Sequence, residues 1–275
     1  MNAFPHLGFF GTVVESTRQT LSLQMRLRLL LMLLGLAIGA FALGSILAAR
    51  ADDRADGRFL FCLIGWWLGT TVVVPWGTLY LGVQAVHGPL EDRTYLYNFL
   101  RPVSRAALYL GQWLAVSLFA ALASAALATA LFLGIAGHAD LWPDGVQWEL
   151  LGVMVQMLAL ASLAYAAVAA WFGAFFRRPL AWGAFFVVGL QMLTANLPVS
   201  AGLRQLTITD PLRRFVLEGV NPDQRLTRAL WPAERDFHPD LIGEPLRDLL
   251  LLVAVCLVLG LWSYTRSEYD ARNRE

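Results

Sequence analysis

The side chains able to do chemistry are thinly spread along this sequence. Four histidines, His6, His87, His138 and His238, stand far apart and make no metal-ligand spacing. Cys62 and Cys256 both lie inside apolar runs, where a thiol serves as a small buried hydrophobe. All 21 basic residues are arginine. Without lysine the chain can carry neither a P-loop, whose lysine reaches nucleotide phosphates, nor a Schiff-base amine. No G-x-S-x-G or H-E-x-x-H pattern occurs, which argues against an intramembrane hydrolase or metalloprotease. The expectation is a chain with no catalytic residues, no metal site and no cofactor of its own.

The elements that must position what remains are apolar helices. Of 275 residues, 57% are hydrophobic and 15% charged, against roughly a quarter charged in an ordinary soluble domain. The apolar residues come in long runs, matched to a hydrocarbon layer about 30 Å thick crossed at about 1.5 Å per residue. In lipid the backbone must satisfy its own hydrogen bonds, so such runs are helices. The predicted fold is an all-α integral membrane protein with six transmembrane helices, at about 29–49, 59–86, 106–136, 150–176, 180–197 and 249–264. It forms a single transmembrane domain over residues 1–275. The first run is too long, and too far from the start, for a secretory signal core.

Before it, residues 7–28 place Phe10, Val13, Val14, Thr17 and Leu21 at near-helical spacing, as in an amphipathic helix lying in the membrane interface. After the fifth run, residues 198–248 are cut by Pro198, Pro211, Pro222, Pro232, Pro239 and Pro245. Within them, Pro211–Val220 mixes apolar and charged residues as a short amphipathic helix would, so this long outer segment is expected to form a structured cap or re-entrant hairpin.

Arginine counts orient the chain. With both termini in the cytoplasm, eleven arginines fall on that side, while the first outer connection interleaves Arg50, Arg54 and Arg58 with Asp52, Asp53 and Asp56. The expected location is a cell membrane, a bacterial inner membrane in particular. Trp142, Trp148, Trp171 and Trp182 fall near span ends, as an aromatic belt requires, whereas Trp66 and Trp67 lie deeper and are expected to pack. Gly35/Gly39 and Gly65/Gly69 offer close helix approach, within one subunit or across a dimer. A net charge of +1 points to no nucleic acid.

No aspartate, glutamate, arginine or histidine lies within the six runs; Gln112, Gln156, Gln191 and Asn196 are among the polar exceptions. A carrier driven by an ion gradient keeps titratable groups at membrane depth, so the pattern argues against one.

The most informative stretch is residues 88–105, expected to connect the second and third spans on the cytoplasmic side. Pro89 suits a first helical position, Glu91 and Asp92 complement the N-terminal dipole, and Pro102 forces a stop. Leu96, Phe99 and Leu100 form an apolar stripe, Asp92, Arg93 and Arg101 stay polar, and Ser104 can cap the third span. These residues describe a short stiff helix, which could lie on the membrane alone or receive force from a partner. A non-transporting scaffold in a larger complex would be compatible with the same features.

The stretch resembles the permease subunits of ABC-2 type transporters. In these an acidic pair, Gly-Thr, a leucine-rich turn, Pro-Val-Ser-Arg and Leu-Gly-Lys recur between the second and third spans. Glu91-Asp92, Thr94, Leu96, Leu100, Pro102-Val103-Ser104-Arg105 and Leu110-Gly111 fill that pattern in register, with Arg93 where glycine is usual and Gln112 where lysine is usual. The resemblance implies an ATPase subunit, bearing ATP and Mg, docked on 88–105, and a second permease subunit completing the pathway, with a lean towards export. It makes Glu91, Asp92, Arg93, Thr94, Leu96, Phe99, Leu100, Arg101, Pro102 and Arg105 the candidate ATPase-coupling residues.

Overall fold

The computed structural model describes residues 8–51, 56–91, 104–143, 145–193, 207–220, 224–230 and 243–266, and among them every regular element is a helix. Helix α1 (Phe9–Gln24) is the expected amphipathic lead-in. It stops sooner than the predicted 7–28 because Arg26 turns to extended backbone before α2 (Leu27–Ala49) begins. The Asp56 carboxylate accepts from the Arg58 N–H at 2.9 Å and starts α3, which runs over 57–91. Ser104 caps α4 (Arg105–Ala136) as expected, accepting from the Ala107 N–H at 3.4 Å. A 3-10 turn (Ala139–Leu141) then leads to α5 (Trp148–Phe175).

Among the described residues five helices are long and apolar enough to cross a membrane: α2, α3, α4, α5 and the last, α9 (Gly243–Arg266). Of the run expected to cross at 180–197, residues 180–193 are described. Its described helix, α6 (179–193), has seven α-helical residues followed by eight in wide π turns. Residues 194–206 lie outside the described part, and the chain resumes in α7 (Thr209–Val220) and α8 (Gln224–Leu230).

A second π segment interrupts α3 at Trp67–Val73. Pro75 accounts for it. Proline has no N–H to offer the carbonyl four residues back, that of Thr71, and its ring crowds that carbonyl. A π register moves the demand one residue on, to Trp76, and widens the helix instead of breaking it.

Helix α5 is the hub: α3, α4, α6, α7 and α9 all pack on it. Its most apolar window is 67% buried, against 11% for α2, which touches the bundle chiefly through α4. In lipid there is no hydrophobic drive between helices, so contact depends on close packing of small residues. A Cβ on Gly82 would stand 2.7 Å from Ala169 Cβ, and one on Gly44 would stand 2.7 Å from the Leu131 carbonyl. Of the two G-x-x-x-G pairs, Gly65 and Gly69 face Met154 and Leu158 of α5, while Gly35 and Gly39 meet nothing.

Two tryptophans depart from expectation. Trp142 is buried under Gly57, its indole N–H reaching the Ile135 carbonyl at 3.4 Å, because the 3-10 turn folds it back over α4. Trp67 is 46% exposed because it stands on the outer side of α3, whereas Trp66 is buried as expected.

Candidate functional site

Two places on this bundle gather polar and charged side chains. The first is the end where α3, α5 and α9 finish and α4 begins, here called the basic end for Arg105, Arg177, Arg178 and Arg266. Of the expected coupling residues, Glu91 is the last residue of α3. Asp92, Arg93, Thr94, Leu96, Phe99, Leu100, Arg101 and Pro102 lie outside the described residues. Arg105 is exposed in the first turn of α4, and its guanidinium donates to the Thr265 carbonyl at 3.3 Å, tying α4 to the last turn of α9.

Helix α1 is fixed to the same place. The Ser16 hydroxyl donates to the Leu108 carbonyl at 3.1 Å and the Thr17 hydroxyl to the Gly111 carbonyl at 3.2 Å. The glycine matters sterically, since a Cβ on Gly111 would lie 2.6 Å from Ser16 Cβ and 2.7 Å from the Val13 carbonyl. Gln112, next to it, is 7% exposed, so the position where the resembled pattern carries lysine faces inward here. The His87 ring holds the end of α3 to α5, its Nδ1 lying 3.3 Å from the Gly173 carbonyl; a carbonyl only accepts, so the proton sits on that nitrogen. Five helices, α1, α3, α4, α5 and α9, therefore meet at this end, where α3 finishes at Glu91 and α4 begins at Arg105.

Substituting Gly111→Leu is expected to lift α1 from α4. Overpacking typically costs about 1–3 kcal/mol, or about fivefold to a hundredfold in the undocked fraction. Trypsin cleavage at Arg18 should accelerate by that factor, and an unchanged rate would show that α1 does not depend on this contact.

The second place is a small polar pocket inside the bundle, of about 20 Å³, between the two π segments. Trp66, Thr70 and Thr71 face it from α3, Tyr165 from α5, Gln191 from α6, and Thr209 and Arg213 from α7. Its depth follows from α5. Tyr165 lies 17 positions after Trp148, about 25 Å along at 1.5 Å per residue, beyond the midpoint of a 28-residue helix. Helix α7 starts at this level and runs toward the first turns of α5, to where Gly219 packs on Val153 and Arg58 donates to the Val220 carbonyl.

The start of α7 is held by groups from outside its own turn. Gln191 Oε1 accepts from the Ile208 N–H at 3.0 Å and from the Thr209 hydroxyl at 3.1 Å, while Thr207 Oγ1 accepts from the Asp210 N–H at 3.3 Å. Asp210 complements the positive end of the helix dipole and pairs with Arg214 at 3.1 Å. Arg213, 6% exposed, stands over the Trp66 ring at 5.6 Å, a geometry in which the aromatic face stabilises a partly desolvated cation.

This pocket is the feature that sequence reasoning missed. The six apolar runs contain no charge, yet α7 brings Asp210 and Arg213 back to their depth. The available signal was the amphipathic pattern of Pro211–Val220, which is the same for a helix lying on a membrane and one inserted with its polar edge against buried tryptophan. Pro75 within the second run was the signal for the π turn. Among the described residues, no group of histidine, cysteine and carboxylate side chains could hold a metal ion.

No family model matches the chain, and no curated protein matches it. What the geometry defines is a class: a helical protein with several helices able to cross a membrane, five of them among the described residues.

Proposed function

We propose that this chain is the membrane-spanning permease subunit of an ATP-binding cassette transporter of the ABC-2 type, working as an exporter with a separate ATPase and a second permease subunit. The permease has no nucleotide-binding loop, so force has to enter mechanically. The observation that carries the reading is the convergence of α1, α3, α4 and α9 at the mouth of the 88–105 connection. A push on that connection would act on α4 through Ser104 and Arg105. It would reach α1 through Ser16 and Thr17, and α9 through the Thr265 carbonyl.

Nucleotide state in the ATPase would bias two arrangements of this set around α5, and the seam with the second permease would open and close accordingly. The Glu91–Arg105 motif supports the same docking site. In this reading the basic end faces the cytoplasm with both termini, in a bacterial inner membrane. Gentle detergent purification from the native host is expected to recover the chain with a P-loop ATPase in stoichiometric amount, identified by mass spectrometry. A stable complex lacking any nucleotide-hydrolysing subunit would sink the proposal.

A further inference from the structure

We propose that the pocket between the π segments binds a carboxylate group, carried by a membrane-borne amphiphile. The decisive group is Gln191. The Ile208 N–H can only donate, so the amide atom facing it must be Oε1, and the orientation of the side chain follows from the hydrogen bond itself. That places Nε2, with two N–H donors, on the other branch of a side chain only 3% exposed. Nε2 has no hydrogen-bond partner among the described residues. A buried donor left unsatisfied costs about 1–3 kcal/mol, so the site is built to receive an acceptor.

The acceptor's charge follows from its surroundings. The N-terminus of α7, a helix of 12 residues, begins beside Gln191 and contributes positive potential. The Arg213 guanidinium lines the same pocket, and its field acts there whatever else it contacts. The nearest carboxylate on that turn, Asp210, is engaged by Arg214. A group with two oxygens in one plane matches an amide donor and a guanidinium edge. The interior has room for little more than one water molecule, which suits a planar carboxylate better than a tetrahedral phosphate.

The rest of the ligand should be apolar. Trp66, Pro75 and Val187 form the remaining walls, and half-exposed Trp67 carries the lining to the outer surface of α3. A ligand entering past Trp67 comes from the hydrocarbon layer, where amphiphiles are concentrated. Binding of this kind requires no ATPase, so it stands or falls independently of the transport reading.

The test uses the full chain in nanodiscs of zwitterionic lipid with dodecanoate labelled with carbon-13 at the carboxyl. A second carboxyl resonance, absent from protein-free discs, should appear and saturate at one ligand per chain. Dodecanol labelled at its hydroxyl carbon should show no such site. Gln191→Glu keeps the oxygen that accepts from Ile208 but replaces the donor with an acceptor, and should weaken binding at least tenfold at unchanged thermal stability. Should that variant fail to fold, Thr71→Val leaves the Gln191 to Ile208 bond untouched and should still weaken binding several-fold. Displacement by acetate at comparable concentration would show that a free carboxylate suffices; resistance to acetate would show that the apolar chain is required. No saturable resonance, equal binding of dodecanol, or full affinity in both variants would overturn the assignment.

Discussion

Replacing Arg101 and Arg105 together by glutamate is expected to abolish stimulation of the partner ATPase by this chain while leaving the protein inserted in the membrane. In the proposed reading both arginines lie on the face of the 88–105 connection that meets the ATPase. Reversing two charges there changes attraction into repulsion, and like charges brought together at an interface cost several kcal/mol. Arg105 also donates to the Thr265 carbonyl, and glutamate cannot donate, so the tie from α4 to α9 is lost in the same variant. A control separates the two effects: Arg105→Gln keeps an N–H donor for Thr265 and should retain a substantial part of the stimulation. The measurement is nucleotide hydrolysis by the reconstituted complex with and without the substitutions. Stimulation at the unsubstituted level in the double variant would count decisively against docking at this connection.

The second large effect is expected in the bundle itself. Gly134 of α4 lies against α2, where a Cβ would run into the backbone carbonyl of Phe41 and come within 3.1 Å of the Ser45 nitrogen. Backbone cannot rotate away as a side-chain tip can. The Ser45 hydroxyl also donates to the Gly134 carbonyl at 3.3 Å, so the contact is polar as well as close. Gly134→Val should therefore separate α2 from α4, with a loss near or above the about 1–3 kcal/mol of ordinary overpacking. Helix α2 has almost no other support, being the least buried of the five long helices. Thermal aggregation in detergent and tryptic access at Arg26 and Arg28 would report it. A variant as stable as the original would mean that the two helices do not meet there.

Much of this architecture was readable from residue order. Long uncharged runs gave α2 to α5 and α9 because lipid permits little else. Ser104 was readable as a cap because its hydroxyl stands just ahead of the first apolar turn, and the structure places it there. The amphipathic spacing of Phe10 to Leu21 gave α1. What escaped was tertiary. The same G-x-x-x-G spacing occurs twice, yet only the pair that happens to face Met154 and Leu158 is packed. Sequence spacing marks where two backbones could approach, not which partner arrives. The apolar run at 180–197 is described only as far as 193, and there its α-helical turns give way to wide π turns, a register that residue order alone does not show. Arg213 was hidden for a related reason: a charge far outside any apolar run in sequence can be carried to membrane depth by a short helix that folds back.

Helix α5 has a consequence for how this protein tolerates change. Ala161, Ala164, Ala166, Ala167, Ala169 and Ala170 are all at most 1% exposed, enclosed by the rest of the bundle. Replacement of any of them by leucine would raise apparent suitability for a bilayer and still be damaging, whereas serine, only slightly larger and able to bond a carbonyl one turn back, should pass. A mutational survey of this segment would sort by volume, the reverse of the polarity ranking expected for a stretch facing hydrocarbon.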